Sequence, residues 1–200
     1  QIFLEAKDKI DSESDPYSAE DIYFKIGLAY SKIDSLNNSN YALNTALNIS
    51  ESINDVYYKT IIYIELGYNY FLQKDFSKAE SLIKGVMQLS KSNGFNQLLG
   101  VQNLYLGKIS FAKNSLSDAI KYFKSASLIA EEEMDYNNVF ESEYLLAKSY
   151  YEQNKLAEAE EHYLKAIKLA DKISDALINN EEIQIAHFSG LKDCYSELAE

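Results

Sequence analysis

The sequence contains no arginine, so all nineteen of its basic residues are lysine. Its 31 acidic residues outnumber them, and the net charge is -12 at pH 7. A bidentate grip on guanine or phosphate requires the guanidinium fork of arginine, and sequence-independent nucleic-acid affinity comes mainly from cationic contacts to phosphate. The sequence therefore predicts no direct binding of nucleic acid by this segment.

Cysteine is almost absent as well, because Cys194 is the only one. A single cysteine excludes an internal disulfide and a zinc site built from cysteines. His187 precedes it by seven residues, two helical turns away, which is too far for the base of a nucleophilic pair. We interpret Cys194 as a small apolar filler and predict no metal site and no cofactor.

Long apolar runs are missing too. Although 46% of the residues are hydrophobic, no uninterrupted apolar run approaches the roughly 20 residues of a membrane helix. The sequence thus predicts a soluble segment without membrane insertion, and a cytoplasmic or a periplasmic location both stay open. Residue 1 falls inside an amphipathic pattern rather than a leader, so we expect an excised part of a longer chain.

What the sequence does contain is a period of 40 residues that holds its phase over four units. Each unit has a small residue in its first half and another small residue twelve positions later. The first set is Gly27, Gly67, Gly107 and Ala147, and the second is Ser39, Ala79, Ala119 and Ala159. A glycine inside a helix costs about 0.5 to 1 kcal/mol relative to alanine. Its recurrence at one phase predicts a point where two helices cross closely.

Within each unit the apolar residues recur three or four positions apart, which is the period of an amphipathic helix. Polar turn signals interrupt the pattern twice per unit, so each unit is predicted to be a helical hairpin. The hairpins are expected at 16–53, 54–93, 94–134 and 135–176, with 1–12 as the end of a truncated upstream repeat and 180–200 as the first helix of a further or capping repeat. The predicted fold class is all-α, a single α-solenoid of antiparallel helical hairpins.

A polar residue precedes the second helix of three units at one phase. Ser35, Asp75 and Ser115 are predicted to cap the free backbone N–H groups of these helices, and Asp118 follows Ser115 at the spacing of a capping box.

These residues resemble the tetratricopeptide repeat. The best units read Leu66-Gly67-Tyr70-Phe76-Ala79 and Leu106-Gly107-Leu116-Ala119-Phe123-Ala126. The period of 40 exceeds the usual value of about 34, and the closing proline is missing, so the resemblance is to a long-repeat variant. It implies a right-handed superhelix whose first helices line a concave groove that binds peptides or protein segments.

The resemblance also implies which residues face that groove. With the small residue as position eight, these are positions two, five, six, nine, twelve and thirteen. Many are apolar or aromatic, as expected for a contact surface. The predicted partner-binding residues are Phe24, Tyr68, Phe71, Tyr105, Lys108, Phe111, Tyr144, Lys148 and Tyr151. Lys108 and Lys148 share one phase and are candidates to hold an acidic group, whereas the alternative for each aromatic is packing between the lengthened helices.

Two functions stay open from the sequence. One is a non-enzymatic scaffold module that binds a protein or a peptide, and the other is a sensor or regulatory segment of a larger bacterial signalling protein or transcriptional regulator. A chaperone-type carboxylate clamp is disfavoured, because Phe24, Leu28, Ile64 and Tyr68 stand where such repeats carry lysine and asparagine. Self-association is a further option.

An enzyme is disfavoured by the motifs. The sequence has no phosphate loop, no zinc-binding helix and no dinucleotide fingerprint. The run Glu160-Glu161-His162 is interpreted as a solvated helix face rather than an acid–base pair.

Overall fold

The computed structural model describes residues 15–176, with side chains up to residue 172. Within this range the chain is helical and contains no strand, which confirms the all-α fold class. The segments 1–12 and 180–200, with His187 and Cys194, lie outside the described residues. The chain divides between Phe95 and Asn96 into two compact units, here called unit 1 and unit 2, and each is described by itself.

The described helices pack in sequence-adjacent pairs. Unit 1 contains α1 (Pro16–Lys32), α2 (Leu36–Ile53), α3 (Val56–Leu72), α4 (Phe76–Gly85) and α5 (Met87–Ser92). Unit 2 contains α6 (Asn96–Ala112), α7 (Leu116–Glu132), α8 (Tyr136–Glu152) and α9 (Leu156–Ala176). Because short turns join them, α1 and α2, α3 and α4, α6 and α7, and α8 and α9 each form an antiparallel hairpin.

Each turn between helices, apart from the junction of α4 and α5, contains one residue in the left-handed conformation. These residues are Asp34, Asn54, Lys74, Gly94, Asn114, Met134 and Asn154. They follow one another every 20 residues, so the 40-residue repeat consists of two halves of equal length. Glycine and asparagine tolerate this conformation, whereas Lys74 and Met134 adopt it at a cost of roughly 1 to 2 kcal/mol each.

Aspartate side chains cap several of the helices. Asp15, Asp55, Asp75 and Asp135 each accept a hydrogen bond from the backbone N–H three residues later, at 2.9 to 3.2 Å. The predicted cap is thus present at Asp75. The prediction is wrong for Ser35 and Ser115, whose side chains make no cap hydrogen bond. Asn38 Nδ2 donates to Ser35 Oγ at 3.0 Å instead.

Gly27, Gly67 and Gly107 lie where the two helices of a hairpin cross. A β-carbon added to Gly27 would lie 2.6 Å from Leu43 Cγ, and one added to Gly67 would lie 2.6 Å from Ile83 Cγ1. A β-carbon at Gly107 would overlap the ring of Phe123. Ordinary van der Waals contact begins near 3.4 Å, so a side chain at these positions requires the helices to move apart.

The cores of the two units surround these crossings. Four residues near the start of the second helices are fully or almost fully buried: Ser39, Ala79, Ala119 and Ala159. Ala147, in the first helix of the last hairpin, is buried as well. The core of unit 1 contains Phe24, Leu43, Ala46, Leu47, Ile62 and Leu66. The core of unit 2 contains Leu104, Ala119, Phe123, Ala126, Leu146, Ala147, Tyr150, Ala159, Tyr163, Ala166 and Ile167.

Asn69 forms a buried polar junction between the first three helices. Its Nδ2 donates to Ser39 Oγ at 2.7 Å and to Asn40 Oδ1 at 2.9 Å, and its Oδ1 accepts from Ser31 Oγ at 2.7 Å. Ser39 Oγ donates to the carbonyl oxygen of Gly27 at 2.7 Å. Because these buried groups are paired, Ser39 replaces the alanine of the other repeats without leaving a polar atom unsatisfied.

We expect Gly67→Ala to lower the free energy of unfolding by about 1 to 3 kcal/mol. The added methyl group would overpack the crossing against Ile83, and that cost exceeds the gain of about 0.5 to 1 kcal/mol in helix propensity. Urea unfolding followed by circular dichroism measures the change.

Gly85→Ala is the matched control, because it also replaces a helical glycine of unit 1 and its β-carbon would meet nothing within 4 Å. We expect this variant to be neutral or slightly more stable. Equal stability of the two variants would show that the crossing does not require a glycine.

Candidate functional site

In the first helix of each hairpin, the side chains at positions six, nine and twelve form a row that is half-buried except at Lys25 and Tyr151, which are exposed. Residues three apart share one helix face, so this row runs along the helix. Its predicted partner-binding members are Tyr68 and Phe71 in α3, Tyr105, Lys108 and Phe111 in α6, and Lys148 and Tyr151 in α8. Tyr151 is the most accessible of these aromatics, at 44% exposure.

Position five does not belong to this row. Phe24 is 9% exposed, Ile64 0% and Leu104 1%, so little of the Phe24 side chain is accessible, and its contact with a partner stays a prediction. Position five precedes the small residue by three positions and therefore faces the second helix together with it. Tyr144 holds the same position in α8, where it is half-buried and its ring centroid lies 6.1 Å from that of the buried Tyr163.

In unit 1 the row forms an aromatic strip. The rings of Tyr68 and Phe71 stack with centroids 6.0 Å apart and an interplanar angle of 21°. The Phe71 ring also lies 5.9 Å from that of Phe76 at the start of α4. Tyr68, Phe71 and Phe76 together are called the unit 1 strip.

In unit 2 the row combines aromatic and charged side chains. Lys108 Nζ lies 2.6 Å from Glu141 Oε1, which joins α6 to α8, and 5.3 Å from the ring centroid of Tyr105. Lys148 Nζ lies 5.3 Å from the ring centroid of Tyr144. The acidic group that Lys108 holds is therefore one of the chain's own. The unit 2 strip consists of the row members Tyr105, Lys108, Phe111, Lys148 and Tyr151, together with Glu141 and Tyr144, which contact the two lysines.

A buried carboxylate, Glu143, links three helices of unit 2 and was not predicted as a functional residue. It is 2% exposed, and His162 Nδ1 lies 2.6 Å from its Oε2. Lys165 Nζ donates to its Oε1 at 2.9 Å, and Ser127 Oγ donates to the same oxygen. The sequence signal that could have identified Glu143 is its position in the repeat. Tyr23 and Tyr63 hold the same position in other repeats, and a charged residue there needs partners.

These contacts keep Glu143 ionised. Burial alone would raise the pKa of its carboxyl, but the hydrogen bonds from His162, Ser127 and Lys165 outweigh burial and lower the pKa to about 2. His162 stacks on Tyr150, with ring centroids 5.4 Å apart and an angle of 10°. The interpretation of His162 as part of a solvated helix face is therefore wrong.

Unit 1 contains a carboxyl with the opposite behaviour. Glu20 is 1% exposed, and its Oε1 has no hydrogen-bond partner. Burial, with the nearby charges of Asp55 and Asp21, raises its pKa to about 7. Asp21 accepts from Tyr58 Oη at 2.7 Å and from Lys25 Nζ at 2.7 Å, and these bonds lower the pKa of Asp21 against the effect of burial.

A general acid or base works best when its pKa lies near the working pH. Glu143 is a fixed anion, and Glu20, whose pKa is raised to about 7, is only 1% exposed and has little access to a substrate. No group of three or more His, Cys, Asp or Glu side chains in the described part of the chain is placed to hold a metal ion. The absence of enzymatic activity stays a prediction. None of the described helices is long and apolar enough to cross a membrane.

Helical hairpins with small residues at their crossings and partly accessible side chains along the first helices define a tetratricopeptide-type repeat protein. Residues 24–189 match the family of the MalT-like TPR region, and the chain belongs to this family. The match confirms the resemblance drawn from the repeat residues. No curated protein sequence matches the chain significantly.

Three solved structures illustrate the similarity of fold. Aspartyl phosphate phosphatase F from Bacillus subtilis has a TM-score of 0.78 at 18% identity, over 98% of this chain and 54% of that one. The Rap conjugation gene regulator of plasmid pLS20, in complex with the Phr* peptide, scores 0.77 at 20% identity over 98% and 56%. NprR with its cognate peptide NprX scores 0.70 at 19% identity over 94% and 60%. The present chain thus spans little more than half of each.

We expect the stability that Glu143 contributes to depend on pH. Its pKa is lower in the folded chain than in the unfolded chain, so the contribution is complete above the ordinary value of 4.5 and is lost as the pH falls towards 2. Wild type should be more stable than Glu143→Gln at pH 7, and this difference should shrink by about 2 kcal/mol at pH 3. Urea unfolding at both pH values measures it.

Glu161→Gln is the control, because it removes an exposed carboxylate beside His162. Its difference from wild type should stay nearly constant between the two pH values. A difference for Glu143→Gln that is equally constant would mean that the hydrogen bonds to Glu143 do not hold its charge.

Proposed function

We propose that the chain is a non-enzymatic module that binds a peptide or a protein segment through the side chains of its first helices, with the unit 2 strip as the principal contact surface. The observation that carries this proposal is the partial exposure of large aromatic side chains in a row beside the core. Such side chains supply much of the energy of protein contacts, because they bury a large area at a small cost in side-chain entropy.

The charged members of the strip suit an orienting role. Lys108 and Glu141 form an ion pair that is 17% and 42% exposed at its two side chains, so a partner can reach the carboxylate more easily than the ammonium group. Lys148 lies beside Tyr144, with Nζ 3.4 Å from the phenol oxygen. Sites that fix the direction of a bound segment typically have a small number of polar groups among apolar ones.

The comparisons support a peptide as the ligand. Two of the structures with this fold, the plasmid regulator and NprR, were solved with a peptide bound. At identities of 20% and 19% the structural similarity concerns the fold alone, so the contact residues of this chain must be tested on their own.

The test starts from a random peptide library displayed on phage and selected against the whole chain. An enriched peptide, synthesised with a fluorophore, should bind wild type with a measurable anisotropy change. Tyr151→Ala should weaken this binding at least tenfold, because truncation of a hot-spot aromatic costs about 2 kcal/mol or more and about 1.4 kcal/mol corresponds to a factor of ten.

Tyr136→Ala is the matched control, since Tyr136 lies on the same helix, is 55% exposed and does not belong to the strip. Its affinity for the peptide should equal that of wild type, and circular dichroism should show that all three proteins are folded. Equal affinity of all three for every enriched peptide would reject the unit 2 strip as the contact surface.

A second candidate function is a sensor segment of a larger regulatory protein. It is favoured by the similarity to the Rap conjugation gene regulator in complex with the Phr* peptide and to NprR in complex with its cognate peptide NprX. In this case a bound peptide would change the conformation of the segment, whereas a scaffold module would keep one conformation.

Hydrogen exchange separates these two functions. With saturating amounts of the enriched peptide, a sensor should change its exchange rates in helices that lie outside the strip, such as α2 and α7. Protection confined to α6 and α8 would favour the scaffold and count against the sensor.

A further inference from the structure

The second helix of the hairpin 56–92 is broken, unlike its counterparts among the described hairpins. α2, α7 and α9 are continuous over 18, 17 and 21 residues. α4 ends at Gly85 after 10 residues, and α5 begins at Met87. Between them Val86 has φ -104° and ψ 0°, and its N–H donates to the carbonyl oxygen of Lys84. The regular hydrogen-bond ladder of the helix is interrupted at this residue.

Two differences from the other repeats explain the break. Val86 takes the phase of Ala46, Ala126 and Ala166, which are almost completely buried, and Val86 itself is 5% exposed. A β-branched residue in a position that the other hairpins fill with alanine pushes the backbone away from its neighbour. The residue before it is Gly85, which resists helix formation more than any residue except proline.

Packing does not explain why Gly85 is glycine. A β-carbon there would meet nothing within 4 Å, whereas a β-carbon at Gly27, Gly67 or Gly107 would collide with the opposite helix. Since the space is open and Gly85 does not adopt a left-handed φ, what distinguishes glycine from alanine at residue 85 is its lower helix propensity.

The helices on the two sides of the break, α4 and α5, differ in how much of each is buried. α4 buries Ala79 and Ile83 completely and is capped by Asp75, whose side chain accepts from the Lys78 N–H at 3.1 Å. α5 has six residues and buries only Ser90 among them. A helix this short has no stability of its own, so α5 depends on how it docks.

We propose that Gly85 and Val86 form a hinge at which α5 changes its direction while α4 stays docked on α3. Hinges absorb large changes in φ and ψ at a few residues and leave the flanking elements rigid. The hinge precedes the boundary at Phe95 and Asn96, so its motion would act on the last segment of unit 1.

The test uses pairs of spin labels on the whole chain, with Cys194 replaced by serine. One pair is attached through Ser77→Cys and Ser92→Cys, which span the break at two exposed positions. The matched pair, Ser117→Cys and Glu132→Cys, lies at the same phase on the continuous helix α7 and is also exposed. In a continuous helix both backbone separations are about 22 Å.

We expect the distance distribution across the break to be about twice as wide as that on α7. The double change Gly85→Ala and Val86→Ala should narrow it to the width found on α7, because it restores the residues that continue the helix elsewhere. If the double variant does not fold, Gly85→Ala alone carries the test, since its methyl group enters open space.

Equal widths for the two wild-type pairs would overturn the hinge. A wide distribution that stays wide in the folded variants would overturn the assignment to Gly85 and Val86. A third pair, Ser77→Cys with Glu80→Cys inside α4, should stay narrow in every protein and shows that the width does not come from the labels.

Discussion

One close crossing in each hairpin, where a small residue of the first helix meets a large residue of the second, determines most of the remaining structure. Gly27 against Leu43, Gly67 against Ile83 and Gly107 against Phe123 leave no room for a β-carbon. The crossing fixes which face of the first helix is buried. Position five lies on that face, three residues before the small residue, and positions six, nine and twelve lie outside it. The strips are therefore a consequence of the crossing.

Two departures from the repeat show that a single core position can decide whether the second helix of a hairpin stays continuous. Where Ser39 replaces alanine, its hydroxyl is paired with Gly27 and Asn69, and the hairpin keeps its form. Where Val86 replaces alanine, no such compensation is available to a β-branched side chain, and the helix breaks. A polar substitution can be accommodated by hydrogen bonds, but added volume in a close-packed interior must be accommodated by the backbone.

The repeat period, the hairpins and the small residues were predictable because each leaves a signal that recurs every 40 residues. The burial of Phe24 was not predicted, because groove positions taken from a resemblance do not specify which helix face the crossing buries. The ion pair of Lys108 with Glu141 and the contacts of Glu143 with His162 and Lys165 join residues 19 to 33 positions apart, without any recurrence in other units. Only the packed helices bring such partners together. Likewise asparagine predicts a left-handed turn residue, whereas Met134 adopts that conformation because its neighbours in the repeat require it.

The buried carboxyl groups influence how stability depends on pH, whereas the strips are the proposed contact surface. A variant is informative about binding when it changes the contact surface and leaves stability nearly unchanged. Glu20 and Glu143 are both buried, yet the pKa of Glu20 is raised to about 7 and that of Glu143 is lowered to about 2, because three donors surround Glu143 and carboxylates surround Glu20. Changes at either residue alter how stability depends on pH.

Tyr105, Phe111 and Tyr144 pack against the core of unit 2, so their truncation affects stability as well as contact. Tyr151 does not belong to that core, and at 44% exposure its loss removes contact area with the least effect on folding. A loss of binding in the Tyr151 variant is therefore the result that stability cannot explain.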